Sequence, residues 1–193
     1  MTKKSRWLTS LPVVLLFGAL ACQSALAQKV KLATSMGDVV IQLDADKAPK
    51  TVANFVQYVK DGHYDGLIFH RVIATFMIQG GGYDADMKEK PTRQSIPLES
   101  RNGLSNQRGT VAMARTSVPD SATSQFFINV VDNPRLDAAN SPDGNGYAVF
   151  GKVVSGMEVV DKIRDVPVAS KAGHQNVPQQ PVVIRKATLE SAK

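Results

Sequence analysis

Apolar and polar residues alternate from Lys29 to Thr34 and again from Asp38 to Leu43, with Met36-Gly37 between the two runs. A period of two turns one face of each segment inward, so the pattern predicts a β-hairpin. The period then changes. Val52, Phe55, Val56 and Val59 recur at i, i+3, i+4 and i+7, the stripe of an amphipathic helix. Pro49 stands at its first turn, where a missing N–H does no harm, and Asp61-Gly62 ends it. Leu67–Ile73 and Phe76–Gln79 read as strands, and Gly80-Gly81-Gly82 then permits a tight turn. Residues 83–107 are irregular and polar, with one strand-like piece at Ile96–Leu98.

Thr110–Ala114 and Gln125–Val131 are short apolar runs of the kind that buried strands show. Asn140–Gly146 is dense in turn residues and reads as a loop, and Tyr147–Val153 is a further strand. Ser155 and Glu158, three apart, predict a capping box that opens a second helix with Val159, Val160 and Ile163 inward. Pro181–Leu189 supplies the last strand. Many strands and two separated helices, without regular alternation, argue against a parallel α/β sheet. An antiparallel barrel is the economical solution because closure removes sheet edges. The pattern by itself does not separate it from a sandwich.

The first 27 residues read as a separate unit. Lys3, Lys4 and Arg6 precede an apolar run, Leu11–Ala21, and Ala25-Leu26-Ala27 offers the small-x-small pattern of a signal-peptidase site. That run is shorter than the roughly 20 residues of a membrane-spanning helix, and no later segment is apolar for long enough. A cleaved export signal at 1–27 and one folded domain at 28–193 are expected, with the periplasm as the compartment. Ala19-Leu20-Ala21-Cys22 is a looser likeness of a lipoprotein site, which would instead anchor the chain through Cys22.

Cys22 is the one cysteine. The domain therefore holds no disulfide and no thiolate metal site, and it must rest on its apolar core. Of the net charge of +6, the leader accounts for three, carrying three of the 23 Lys and Arg and none of the 17 Asp and Glu. The remaining basic residues are scattered, and a nucleic-acid footprint would need them clustered on one face. No extended interface is indicated, so a monomer is expected.

The densest chemistry lies in Phe69-His70-Arg71-Val72-Ile73-Ala74-Thr75-Phe76-Met77-Ile78-Gln79-Gly80-Gly81. A guanidinium among so many apolar side chains is costly to bury, so packing explains Arg71 poorly. Ser124-Gln125-Phe126-Phe127-Ile128 is a second such run. In this order the two runs resemble the signature of the cyclophilins, a family of peptidyl-prolyl cis/trans isomerases. The likeness extends from about Val30 to Leu189.

That resemblance implies a mainly β fold, a closed eight-stranded antiparallel β-barrel capped by two α-helices, and so decides between barrel and sandwich. It also implies a catalytic Arg71 that donates a hydrogen bond to the prolyl nitrogen, without cofactor or metal. Phe76, Met77, Phe127 and Leu136 would wall an apolar slot for the proline ring. Gln79 and Gln125 would hold the substrate backbone and orient the arginine, and Ala114 and Arg115 would offer backbone hydrogen bonds. His70 would shape the pocket, and Tyr147 would stand at its rim. The implied substrates are proline-containing peptides and unfolded or folding exported proteins. Arg135 occupies a position where many cyclophilins carry tryptophan, so weak cyclosporin binding is expected.

Each feature has a plainer reading. Singly, Phe76, Met77, Phe127 and Leu136 would be core residues, and Arg71 a surface ion-pair residue. His63, His70 and His174 match no zinc spacing. Ser121 and Ser124 lack a nucleophile elbow, and the triple glycine lacks the Lys-Ser/Thr of a phosphate loop. The joint match favours the isomerase. Its rival is a proline-peptide binding module or holdase with little turnover, which could lose Arg71 and keep much of its affinity.

Overall fold

The structure, a computed structural model, describes residues 28–190. The expected export signal and the Cys22 anchor lie outside the described residues. β1 (Lys29–Thr34) and β2 (Gly37–Leu43) form a hairpin, with Val30, Leu32, Val39, Ile41 and Leu43 buried on its inner face. α1 (Pro49–Lys60) buries the predicted stripe of Val52, Phe55, Val56 and Val59 together with Thr51 and Tyr58. At its end the N–H groups of Gly62 and His63 donate to the carbonyls of Val59 and Tyr58 at 3.1 and 3.0 Å, closing the last turn. Its start is closed from far along the chain. The Glu99 carboxylate accepts from the Lys50 and Thr51 N–H groups and the Thr51 hydroxyl at 3.1, 2.8 and 2.7 Å.

The chain continues through β3 (Phe69–Ile73), β4 (Met77–Gly80), β5 (Thr110–Met113), β6 (Phe126–Asn129), a 3-10 turn at Pro134–Leu136 and β7 (Val149–Ser155). After these come α2 (Met157–Arg164), β8 (Val168–Lys171), β9 (His174–Pro178) and β10 (Ile184–Glu190). Eight strands form one antiparallel sheet in the order β10-β1-β2-β7-β5-β6-β4-β3. A fully closed barrel needs a ladder between β3 and β10, and here the expectation is corrected. The seam carries one bridge, Ile68↔Val183, flanked by N–H groups of Phe69 and Ile184 donating to Val182 and Leu67 at 3.0 and 2.8 Å. The pairing of β3 with β4 shifts register between Phe69 and Arg71. Such a bulge bends a strand and carries the rest of β3 away from β10, where β9 packs against it.

Two further expectations change. Ser155 ends β7 and makes no capping box. The residue at the start of α2 is Gly156, at φ 90° and without a side-chain cap bond. A Cβ on Gly156 would lie 2.2 Å from the Asp38 carbonyl oxygen, so the close approach of β2 demands glycine there. The β8–β9 hairpin was not foreseen, because every residue of β8 is exposed and leaves no buried face to read. Ile96–Leu98 contributes only the bridge Ile96↔Ala122.

Phe55 reaches into the barrel and meets the rings of Tyr64, Phe126 and Phe150 at centroid distances of 5.2, 5.5 and 5.0 Å. β4, β5 and β6 are buried on both faces. Ile78, Val111, Met113, Phe126 and Ile128 join this core. On the other face Met77, Ala112, Phe127 and Val149 form a separate cluster with Phe76, Ala114, Leu136 and Tyr147 packed on it. Burial on both faces is why these strands read as unbroken apolar runs. Among the described residues, no helix is long and apolar enough to cross a membrane.

Candidate active site

Strand register assembles the site. Arg71 pairs with Gln79, Gln79 with Phe127, Phe127 with Ala112, and Ala112 with Val149. Directly opposed residues share a sheet face with Cβ atoms about 4.5–5.5 Å apart. Five strands thus present one row on the outer face of the barrel, with Met77 two residues from Gln79 on that same face. Above it lies a cavity of about 140 Å³ lined by Arg71, Phe76, Met77, Gln79, Ala114, Arg115, Phe127, Leu136 and Tyr147. A hollow of about 900 Å³ bordered by Asp44, Asp46, Leu104 and Lys152 is larger. It brings no arginine against apolar walls, so convergent chemistry and not size marks the smaller cavity.

The polar side of the cavity is a relay. Gln125 Oε1 accepts from Gln79 Nε2 at 2.9 Å, and Gln79 Oε1 accepts from an Arg71 guanidinium N–H at 3.3 Å. The guanidinium also lies 4.0 Å from Met77 Sδ. Fixing the amide of Gln79 fixes the plane of the arginine fork. Gly82 makes room for this, since a Cβ there would fall 2.7 Å from the Gln125 side chain. The third glycine of the triplet is therefore a packing requirement of the relay.

The apolar side is held by the 3-10 turn. Asn133 Nδ2 donates to the Phe76 carbonyl and to Asn129 Oδ1 at 2.9 and 2.8 Å, tying the turn that carries Leu136 to the Phe76 wall. The Tyr147 N–H donates to the Leu136 carbonyl at 2.9 Å. The rings of Phe127 and Tyr147 meet edge-on at 5.6 Å, a favoured aromatic geometry. Arg135 is exposed on the same turn and does not line the cavity.

Two expected site residues stand beside this cavity. His70 and Gln125 line an adjoining hollow of about 390 Å³ with Tyr83 and His174, and Arg71 and Gln79 border both spaces. His70 is buried at 4% exposure and its Nδ1 has no hydrogen-bond partner among the described residues. Burial first, then the neighbouring His174 and Arg71, push its pKa down to about 4, so the ring is neutral near pH 7. For Ala114 the backbone N–H is already given to the Gln125 carbonyl at 2.9 Å, leaving its carbonyl as the group open to a ligand.

Asp143 was missed. It pairs with the Arg115 guanidinium behind the cavity, yet in the sequence it is one polar residue in a turn-rich loop. Among the described residues, no group of three or more His, Cys, Asp or Glu is arranged to hold a metal.

The family described as cyclophilin type peptidyl-prolyl cis-trans isomerase/CLD matches residues 29–189. A peptidyl-prolyl cis-trans isomerase of Acinetobacter baylyi is 54% identical over 179 residues, covering 92% of this chain and 94% of that one. Peptidyl-prolyl cis-trans isomerase B of Escherichia coli is 54% identical over 157 residues, covering 81% and 96%. A crystal structure of a Cryptosporidium parvum cyclophilin type isomerase, solved in the presence of the dipeptide Ala-Pro, superposes with a TM-score of 0.70 at 27% identity. It covers 86% of this chain and 100% of that one. The family match, these relatives and the shared fold agree: the chain belongs to the cyclophilin-type peptidyl-prolyl cis-trans isomerases.

Proposed function

We propose that Arg71 accelerates rotation about Xaa-Pro bonds by donating to the prolyl nitrogen while the ring sits in the apolar cavity. Resonance gives the peptide C–N bond double-bond character and a rotation barrier of about 18–20 kcal/mol. Halfway through the rotation the nitrogen lone pair leaves conjugation and becomes an acceptor. A donor aimed there stabilises the twisted state over both planar ones, which is what catalysis requires. Arginine suits the role because it is always charged and its donors lie in a fixed plane. One charge-assisted hydrogen bond contributes about 1.5–3 kcal/mol, which is roughly 10- to 150-fold in rate. Holding the ring still between Phe76, Met77, Phe127 and Leu136 supplies the rest, because a positioned reactant needs no further ordering.

The observation that carries this reading is the Gln125–Gln79–Arg71 relay standing at the edge of an apolar cavity. The substrates are proline-containing peptides and, with residues 1–27 read as an export signal, exported proteins folding in the periplasm. Slow X-Pro isomerisation limits such folding. The protein acts as a monomer, and exposed Arg135 leaves cyclosporin weakly bound. The test is the isomerisation rate of a short Xaa-Pro peptide with wild-type protein and Arg71→Ala. The expected loss in kcat/KM is at least about 10-fold, with the far-ultraviolet circular dichroism unchanged. A variant that keeps the full rate overturns the Arg71 mechanism. Peptide binding that survives the substitution without turnover assigns Arg71 to the chemistry and not to affinity.

A further inference from the structure

Family resemblance gives Arg115 a backbone role at the cavity and assigns nothing to its side chain. Its guanidinium is nonetheless only 2% exposed. A buried guanidinium must find partners for its fixed fork of donors, and here they are chain neighbours of the cavity-lining residues Arg115 and Tyr147 together with Asp143 behind them. Its Nε donates to the Gly146 carbonyl at 2.8 Å and a terminal nitrogen to the Thr116 carbonyl at 2.9 Å. The other terminal nitrogen pairs with Asp143. The Arg115 Cζ lies 4.8 Å from the centroid of the Tyr147 ring, within the range of a cation–π contact.

Asp143 is itself held in place. Its carboxylate accepts from the Ser141 hydroxyl and from the Asn145 and Gly146 N–H groups. Gly146 packs so tightly on the 3-10 turn that a Cβ there would meet the Leu136 carbonyl at 2.6 Å. One buried side chain thus ties the loop at 143–146 and the Tyr147 ring to the Arg115–Thr116 backbone, next to Ala114. We propose that Arg115 and Asp143 are positioning residues whose ion pair locks the Tyr147 ring and the Ala114–Arg115 edge into one rigid wall. That wall presents the Xaa-Pro bond to Arg71 in a single orientation. The inference rests on reading this cavity as the substrate site.

The test is steady-state kinetics on an Xaa-Pro peptide, with thermal unfolding measured on the same samples. Four variants are compared: Arg115→Met, Asp143→Asn, the double variant and Arg115→Lys. Arg115→Met raises KM about tenfold while kcat stays within about twofold, the pattern of lost binding that ground and transition state share. Its unfolding midpoint stays near that of wild type, because the charge it leaves without a partner, Asp143, is 41% exposed and keeps its Ser141, Asn145 and Gly146 donors, so no charge is stranded in the interior. Asp143→Asn raises KM and also lowers the midpoint, since the guanidinium is left buried without its partner. The double variant returns to the Arg115→Met values, and Arg115→Lys recovers part of the KM.

An unchanged KM in Arg115→Met, or KM values that simply track the midpoints across all four, overturns the proposal in favour of a loop tie. Should Arg115→Met fail to fold, unchanged KM in both Asp143→Asn and Arg115→Lys overturns it equally. Failure of the Arg71 reading is separable, because Arg71→Ala would then keep its rate whatever these variants do.

Discussion

His70 and Arg71 occupy consecutive positions on β3, and the bulge between Phe69 and Arg71 sends them to different surroundings. Arg71 borders the apolar cavity with its amide partner Gln79, whereas His70 packs against the Tyr83 ring at 4.7 Å. Burial there makes the charged imidazolium unfavourable, so His70 stays neutral down to about pH 4 in the fold. The unfolded chain binds this proton near pH 6.5. A group with a depressed folded pKa contributes stability that is complete above the unfolded value and is lost as pH falls through the folded one. Stability should therefore decline between about pH 6.5 and 4, by at most about 3 kcal/mol from this residue. Urea unfolding at several pH values, with wild type and His70→Gln, reads this directly. The variant should show a flatter profile across that window, and parallel profiles would remove His70 as the source. Arg71 was legible in the sequence because a charge inside an apolar run asks for an explanation. Asp143 was not, because its partner is 28 positions away and aspartate is an ordinary turn residue.

Elements were legible where one face is buried and opaque where contact decides. The alternation of β1 and β2 and the stripe of α1 follow from a single inner face, and each appears within a residue or two of its expected bounds. The start of α2 shows the limit. Ser155 and Glu158 fit a capping box in spacing, yet the chain arrives at the helix through a left-handed Gly156 pressed against Asp38 and Val39. No local pattern records that approach, because β2 lies more than a hundred residues earlier. The two readings separate by mutation. A lost cap costs about 0.5–2 kcal/mol, so a capping box would make Ser155→Ala harmful. The observed geometry instead expects Ser155→Ala to stay within about 0.5 kcal/mol of wild type. Gly156→Ala should be the damaging change, since it forces both a positive φ and a clash with backbone. Thermal unfolding of the two variants decides it, and the reverse order would restore the capping box. The same logic explains Glu99, whose role in closing α1 spans 48 and 49 positions and leaves no trace in a local window.

At the scale of the whole molecule, the site depends on the barrel being a stiff platform, because the row from Arg71 to Val149 crosses five strands. Strand count and the absence of βαβ alternation suggested a barrel or a sandwich, and family likeness was needed to choose. How the barrel closes could not be read at all, since closure depends on a bulge and on which strands happen to meet. Stiffness is not uniform around the circle. β1 pairs with β10 and with β2 through six residues each, whereas the seam between β3 and β10 carries the isolated bridge Ile68↔Val183, one residue before each strand begins. Local opening follows the weakest set of backbone bonds. Amides of Phe69 and Ile184, which hold the seam at 3.0 and 2.8 Å, should exchange with solvent hydrogen faster than those of Leu32 and Ile41. All four residues are almost fully buried, so a difference cannot be assigned to simple exposure. Native-state hydrogen exchange followed by nuclear magnetic resonance measures each amide separately. Faster exchange at Phe69 and Ile184 would show the barrel opening at its seam, next to the strand that carries Arg71. Equal protection at all four would mean that one bridge, backed by β9 against β3, closes the circle as firmly as a full ladder.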